Sequence, residues 1–149
     1  MNIIELRNVR ALLIPDLQNL LRRAVESGAL ISPLSFDDVA GDIVTFVTNE
    51  NNFMLLGAEE GGFRAVILGQ FPTSALFPHP VVILLYNEGS RALSRGMTDY
   101  LLDFIADHGY TQCLAVNSSK REDDVWLRAL TPEGAQAYVH GSLCIFEVI

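Results

Sequence analysis

Cysteine is scarce in this sequence, and its scarcity excludes two classes of small protein. Only Cys113 and Cys144 occur among the 149 residues, and their spacing matches no metal-binding pattern. A disulfide-rich scaffold and a cysteine-ligated zinc site are therefore excluded, and we expect no metal site. Each cysteine lies within an apolar run, which predicts two buried free thiols.

Long apolar runs are also missing. No segment approaches the roughly 20 apolar residues that cross a bilayer, and the first apolar stretch contains Glu5 and Arg7, unlike a signal peptide. We therefore expect no membrane association and a cytoplasmic location.

Basic residues are few relative to acidic ones. The chain has 10 Lys and Arg against 18 Asp and Glu, which gives a formal net charge of −8. A phosphate polymer would be repelled by this charge, so general nucleic-acid binding is excluded. One small anionic ligand held by a local basic patch is still compatible with it, and Arg91 and Arg95 supply such a patch.

The chain does contain enough apolar residues for one core. Hydrophobic residues make up 50% of the sequence and charged residues 19%, a balance typical of a folded globule. A length of 149 residues is sufficient for one domain and too short to expect two. We predict a single domain over residues 1–149.

Residues 81–109 form the unit around which the other predicted elements are arranged. Residues 81–86 are apolar at every position, which predicts a strand buried on both faces. A polar turn follows, and from Met97 apolar residues recur at steps of three and four until Gly109 ends the helix. The unpaired N–H groups at such a helix start carry partial positive charge and can hold phosphate.

Hydrophobic periodicity along the whole chain predicts the order β-α-α-β-β-β-α-β-α-β-β. The predicted strands are 2–7, 53–58, 63–71, 81–86, 112–116, 135–139 and 143–149. Glycines at 61 and 62 predict a hairpin turn, the prolines of 72–80 predict a loop, and residues 141–142 predict a second turn. The crossover from 81 to 116 requires parallel strands. The result is an α/β fold with a mixed sheet of about seven strands and helices on both faces.

The six residues Arg91-Ala92-Leu93-Ser94-Arg95-Gly96 follow a buried strand and precede a helix. They resemble the motif of the GNAT family of acyl-CoA-dependent N-acyltransferases, which reads Arg or Gln, two residues, Gly, one residue, then Gly or Ala. The first and last positions match, and Ser94 stands at the middle glycine. The order of elements resembles the family over nearly the whole chain.

This resemblance implies a function and a site. It implies that acetyl-CoA is the cosubstrate, that its pyrophosphate binds backbone amides of the turn, and that the fourth and fifth strands separate to admit its pantetheine arm. A backbone N–H near Leu85 or Tyr86 would polarise the acetyl carbonyl, and a small-molecule or peptide amine would receive the acetyl group. The implied cofactor-binding residues are Leu85, Tyr86, Arg91, Ser94, Arg95, Gly96 and Met97.

Two residues are candidates for catalysis. Glu88 lies just past the buried strand, where a carboxylate can act as the base for the amine. Tyr86 ends the same strand and can hydrogen-bond a substrate. The simpler interpretations are a solvated turn carboxylate and a strand aromatic whose hydroxyl lies at the rim.

Departures from the family pattern favour a second interpretation. Ser94 adds a Cβ where phosphate must approach, and residues 125–128 lack the Tyr that the family often uses as an acid. The fourth strand also lacks a carboxylate base. The alternative is a GNAT-fold binding or assembly module without catalysis, such as a phage or virion-associated protein that forms a homo-oligomer or structural assembly. A third interpretation is an α/β domain with no small ligand.

Overall fold

The computed structural model describes residues 1–30, 35–118, 121–141 and 146–148. The strands are β1 (Asn2–Glu5), β2 (Asn52–Glu59), β3 (Gly62–Gln70), β4 (Val81–Asn87) and β5 (Leu114–Ala115). The helices are α1 (Pro15–Glu26), α2 (Phe36–Thr48), α3 (Arg91–Asp107) and α4 (Asp123–Leu130), with a short 3₁₀ helix at Val9–Leu13 before α1. The predicted order β-α-α-β-β-β-α-β-α is confirmed. No helix in these described ranges has both the length and the apolar character needed to cross a membrane.

The sheet is mixed, as predicted, and its strands follow one another in chain order from β1 to β5. The first four strands pair antiparallel, whereas β4 and β5 are parallel and are joined by α3. The turn between β2 and β3 places Glu60 and Gly61 at φ values of 54° and 78°. A two-residue hairpin turn needs such positive values, so the predicted hairpin is confirmed.

Both faces of the sheet are covered by helices. Met54 and Leu56 of β2 pack with α1 and α2, whereas Leu55 between them packs with α3. This alternation follows from the two-residue period of a strand. The two layers of core explain why the central strands read as continuous apolar runs.

Helix α3 crosses β2 at Gly57, where there is no room for a side chain. A Cβ at this position would lie 2.8 Å from the sulfur of Met97 and 2.9 Å from a methyl group of Leu93. Gly57 therefore allows α3 to approach the sheet closely.

The start of α3 corrects one prediction. The helix begins at Arg91 rather than at Met97, because Ser90 caps it by accepting a hydrogen bond from the N–H of Leu93 at 3.1 Å. Residues 91–96 are therefore helical and do not form an open turn. Leu93 is buried and lies four positions before Met97, so the apolar spacing of the helix extends into its first turn.

The C-terminal strands are a second correction. Residues 135–139 and 146–148 form no strand, so the described part of the sheet has five strands rather than about seven. Since β5 is only two residues long, it offers almost no edge on which a further strand can pair. Residues 142–145 and 149 lie outside the described residues, with Cys144 and half of the predicted turn at 141–142.

Replacing Gly57 with a larger residue tests the close approach of α3. We expect Gly57→Val to lower the free energy of unfolding by about 2–3 kcal/mol, because Met97 and Leu93 must move away. Denaturant unfolding measures the change. Gly41→Ala is the control, since nothing lies within 4 Å of its added Cβ within helix α2; we expect it to stabilise by about 0.5–1 kcal/mol. Equal effects of the two substitutions would contradict the packing argument.

Candidate active site

Strand β4 separates from β5 soon after it begins. The two strands pair only at Val81 and Val82 on the β4 side. Directly afterwards, Ile83 is an extra residue in the register with β3, because Val82 and Leu84 pair with consecutive residues there. Such a bulge bends a strand and ends regular pairing. We call the open edge of β4 over residues 83–87, which no strand of the described residues covers, the β4–β5 gap.

The backbone of β4 directs two N–H groups toward this gap. The N–H of Glu88 donates to the carbonyl of Arg64 in β3 at 2.9 Å. Because N–H groups alternate in direction along a strand, that of Tyr86 also points to β3. The N–H groups of Leu85 and Asn87 therefore point to the β4–β5 gap.

A narrow recess lies beside the gap on the α3 face of the sheet. It is lined by Ala65, Ile67, Leu85, Tyr86, Asn87, Ser94, Met97, Thr98 and Leu130. Its free volume is about 10 Å³, close to the space that one water molecule needs. Leu85, Tyr86, Ser94 and Met97 belong to the predicted cofactor-binding set, so the fold brings these four together.

The first turn of α3 is held by side chains of the protein itself. The carboxylate of Glu59, at the end of β2, accepts two hydrogen bonds from Ser90. One comes from the backbone N–H of Ser90 and the other from its hydroxyl, at 2.8 Å. Asn87 donates to the hydroxyl of Ser94 and to the carbonyl of Ser90, and its side-chain oxygen accepts from the N–H of Gly89 at 2.8 Å. The hydrogen bonds from the backbone and then the hydroxyl of Ser90 lower the pKa of Glu59.

The three other predicted cofactor-binding residues do not line the recess. Arg91 is exposed at the start of α3, and the guanidinium of Arg95 donates to the carbonyl of Arg128 at 3.4 Å. A Cβ at Gly96 would lie 3.1 Å from Met1 and 3.2 Å from Ile3. Gly96 thus allows α3 to approach β1, and its role in binding stays a prediction, as do those of both arginines.

The two catalytic candidates lie together on the opposite face of the sheet. Tyr86 packs with the core of α1 and α2, and its hydroxyl donates to the Glu88 carboxylate at 3.0 Å. Arg23 of α1 binds both oxygens of the same carboxylate, one of them at 2.7 Å. The side chain of Glu88 is 22% exposed and that of Arg23 is 44% exposed.

This network changes the acid–base properties of both candidates. The hydrogen bonds from Arg23 are the main cause of the lowered pKa of Glu88, and Tyr86 adds to the effect. Burial, followed by the hydrogen bond to Glu88, raises the pKa of Tyr86. A carboxylate with a lowered pKa is a weak base. The geometry therefore favours Glu88 as the partner that orients the Tyr86 hydroxyl.

Sequence reasoning missed three residues of the site. Asn87 had a local signal, because an Asn before Glu-Gly at a strand end is typical of a side-chain turn. Arg23 and Glu59 had none, since their partners lie 65 and 31 positions away. No group of three or more His, Cys, Asp and Glu that could hold a metal occurs among the described residues.

Solved acetyltransferases are similar to this chain over almost its full length. A GNAT family acetyltransferase from Staphylococcus aureus matches with a TM-score of 0.58 at 13% identity, over 98% of this chain and 100% of its own. The ribosomal-protein-alanine N-acetyltransferase from Brucella melitensis biovar Abortus 2308 matches with a TM-score of 0.65 at 14% identity, over 98% of each chain. A predicted acetyltransferase with acetyl-CoA from Clostridium acetobutylicum matches with a TM-score of 0.64 at 14% identity, over 97% of this chain and 95% of its own.

The chain has the GNAT fold. No protein-family model matches the sequence, and no curated protein is similar to it. The expected GNAT-like α/β architecture is confirmed. The separation of the fourth and fifth strands to admit a pantetheine arm stays a prediction. Within this GNAT fold, residues 91–96 form the first turns of α3 rather than a loop that leads into it.

The ion pair of Glu88 makes stability depend on pH. Because the folded protein lowers the pKa of Glu88 from 4.5, the pair stabilises the fold above that value and is lost as the pH falls through the lowered pKa. We expect Glu88→Gln to cost about 1 kcal/mol at pH 7 and progressively less below about pH 4.5. Urea unfolding across this range measures the difference.

The exposed Glu50 provides the control. Glu50→Gln removes the same charge from the surface, and we expect little change in stability at any pH. The role assigned to the ion pair would be contradicted if the loss of unfolding free energy in Glu88→Gln stayed constant down to pH 2.5. An equal loss in Glu50→Gln would also contradict it.

Proposed function

We propose that this chain is an acyl-CoA-dependent N-acyltransferase that moves an acetyl group from acetyl-CoA to a primary amine. The β4–β5 gap carries the proposal, because it lies directly before the N-terminus of the long helix α3. A linear thioester can reach through a sheet only where two strands separate. An anionic group at the other end of the same ligand can meet the positive end of a helix dipole.

The backbone N–H of Leu85 is the donor that we assign to the acetyl carbonyl. It points into the gap, whereas the N–H of Tyr86 points to β3. A fixed donor aimed at a carbonyl oxygen stabilises the negative charge that develops there during acyl transfer. The sequence left Leu85 and Tyr86 as alternatives, and the direction of the strand hydrogen bonds favours Leu85.

The start of α3 is the part of the chain that we assign to the phosphates. The N–H groups of Arg91 and Ala92 belong to the first helical turn and have no carbonyl partner within the helix. The side chains of Arg91 and Arg95 are exposed and add positive charge to this end of α3. Ser94 contributes a hydroxyl that already binds Asn87.

The recess gives a measure of how well the pantetheine arm fits. Its free volume of about 10 Å³ is too small for the arm, so a wall of the recess has to move. Leu130 is the lining residue that comes from α4, and none of the residues of α4 is buried. The proposal therefore requires a conformational change, which we assign to a displacement of α4.

The acceptor amine approaches, in this proposal, from the α1 face of β4. The hydroxyl of Tyr86 lies there and is held by Glu88, which in turn is held by Arg23. Because the O–H of Tyr86 donates a hydrogen bond to Glu88, the hydroxyl oxygen can accept a hydrogen bond from an amine N–H. Acetyl-CoA supplies an activated acyl group, and the chain contributes mainly by holding a neutral amine against it.

The acceptor belongs to the small-molecule or peptide amines. One of the similar structures is a ribosomal-protein-alanine N-acetyltransferase, whose name gives a peptide amine as acceptor. The net charge of −8 favours a cationic acceptor over an anionic one. We assign the protein to the cytoplasm, as a single domain.

Binding of acetyl-CoA tests the proposed function directly. At a concentration of 100 times Kd, we expect about 2.7 kcal/mol of added stability, which raises Tm by roughly 5–10 °C. Thr98→Phe should abolish this rise, because the phenyl ring fills the recess beside the gap. Thermal unfolding with and without acetyl-CoA, supported by calorimetry, measures both effects.

The adjacent residue supplies a matched control. Asp99 is exposed on the same helix, so Asp99→Phe adds the same ring outside the recess and should leave the rise in Tm unchanged. If the wild-type protein gains no stability with millimolar acetyl-CoA, the acyltransferase proposal fails. In that case the chain is a GNAT-fold binding or assembly module without this cosubstrate.

A further inference from the structure

The N-terminus of α3 already holds a negative charge that the chain itself provides. The Glu59 carboxylate binds the cap residue of the helix with both of its oxygens, one to the N–H and the other to the hydroxyl of Ser90. The same hydroxyl accepts from the N–H of Leu93 at 3.1 Å. The carboxylate is therefore connected to two donors of the helix start, one directly and one through the hydroxyl.

The surroundings of this contact favour an ionised carboxylate. A helix N-terminus stabilises negative charge, and Arg64 contributes further to the lowered pKa of Glu59 after the hydrogen bonds from Ser90. Gly89 makes room for the contact, because a Cβ at this position would overlap with the Glu59 carboxylate. Hydrogen bonds, charge and space at this position thus all suit a carboxylate oxygen.

We propose that Glu59 is an internal competitor for the phosphate end of the acyl-CoA, a carboxylate that must leave the N-terminus of α3 before a pyrophosphate binds there. The inference rests on the proposed function, since it concerns the same site. It adds a regulatory contact that the GNAT resemblance does not imply. In the absence of ligand the contact satisfies the N–H and the hydroxyl of Ser90, and it lowers the affinity for any ligand with a phosphate group at this position.

The release of Glu59 requires little movement of the backbone. Glu59 is the last residue of β2, directly before the hairpin turn, and its side chain is only partly buried. A change of side-chain rotamer takes the carboxylate to solvent and frees both the N–H and the hydroxyl of Ser90. Like charges at hydrogen-bonding distance repel, so the carboxylate and a pyrophosphate exclude each other from this position.

Three substitutions and three probes test this inference. Glu59→Gln removes the charge, and Glu59→Asp keeps the charge but withdraws the carboxylate from Ser90 by one methylene group. Glu60→Gln is the control, because it removes the same charge from the exposed neighbouring position. Calorimetry gives Kd for CoA, for pantetheine, which lacks the pyrophosphate, and for inorganic pyrophosphate alone. Thermal unfolding of each variant confirms that it is folded.

We expect Glu59→Gln to tighten the binding of CoA and of pyrophosphate by about tenfold and to leave pantetheine unchanged. Glu59→Asp should tighten both phosphate ligands as well, whereas Glu60→Gln should change neither. An equal effect of Glu59→Gln and Glu60→Gln would overturn the inference, because the cause would then be net charge. Weaker binding by Glu59→Gln would also overturn it, since Glu59 would then help to build the phosphate site.

The outcomes separate this inference from the proposed function. If wild-type protein and all variants bind CoA equally well, the competitor role is wrong and the proposed function stands. If none of them binds CoA or pyrophosphate, both fail. Binding of CoA by Glu59→Gln, with none detectable in the wild-type protein, would support the competitor role, whereas the proposed function of the wild-type chain would fail.

Discussion

The bulge at Ile83 is the constraint on which the rest of the candidate site depends. A parallel strand pair that continued past Val82 would use the N–H of Leu85 in the sheet and would close the edge of β4. The bulge follows directly after the last residue of β4 that pairs with β5, and among the described residues that donor has no strand partner. The antiparallel pairing of β4 with β3 continues past the bulge and holds the remaining half of the strand in position.

The start of α3 illustrates a conflict between stability and binding. Without a ligand, a helix start exposes N–H groups that need partners, and this chain supplies partners for those of Gly89, Ser90 and Leu93. A helix start that is partly satisfied internally is more stable without ligand, but a ligand that binds these donors must then replace existing hydrogen bonds. Ser94 fits this arrangement, because its hydroxyl accepts from Asn87, a contact that a glycine at this position would not make. The departure from the GNAT motif is thus part of a local network.

The sequence predicted those parts of the structure that depend on neighbouring residues. The apolar run of β4, the glycine turn of the first hairpin and the helical spacing after Met97 are all local patterns, and each produced the expected element. The capping of α3 by Ser90 was also local, as was the buried Leu93 one turn before Met97. The two C-terminal strands failed for another reason, since a strand forms only where a partner edge exists, and β5 offers two residues.

The contacts that shape the site could not be predicted in this way. Glu59 reaches Ser90 and Arg23 reaches Glu88 only after the sheet and both helix layers have formed. Each pair joins residues that are far apart in sequence, and no spacing rule connects them. The sequence therefore indicated Glu88 as a free carboxylate, whereas the fold pairs it with Arg23 and lowers its pKa.

The pairing of Glu88 bears on how the proposed acyl transfer would proceed without a strong base nearby. A thioester is already activated, and an amine that loses its proton to solvent needs orientation more than deprotonation by the protein. The side chains of Leu85 and Tyr86 lie on opposite faces of β4. In the proposed reaction, the backbone N–H of Leu85 and the hydroxyl of Tyr86 would act on the two reactants from these two faces. In such an arrangement the lowered pKa of Glu88 is an advantage, because an ionised Glu88 accepts a hydrogen bond from the Tyr86 hydroxyl. The hydroxyl oxygen is then available to accept a hydrogen bond from the amine.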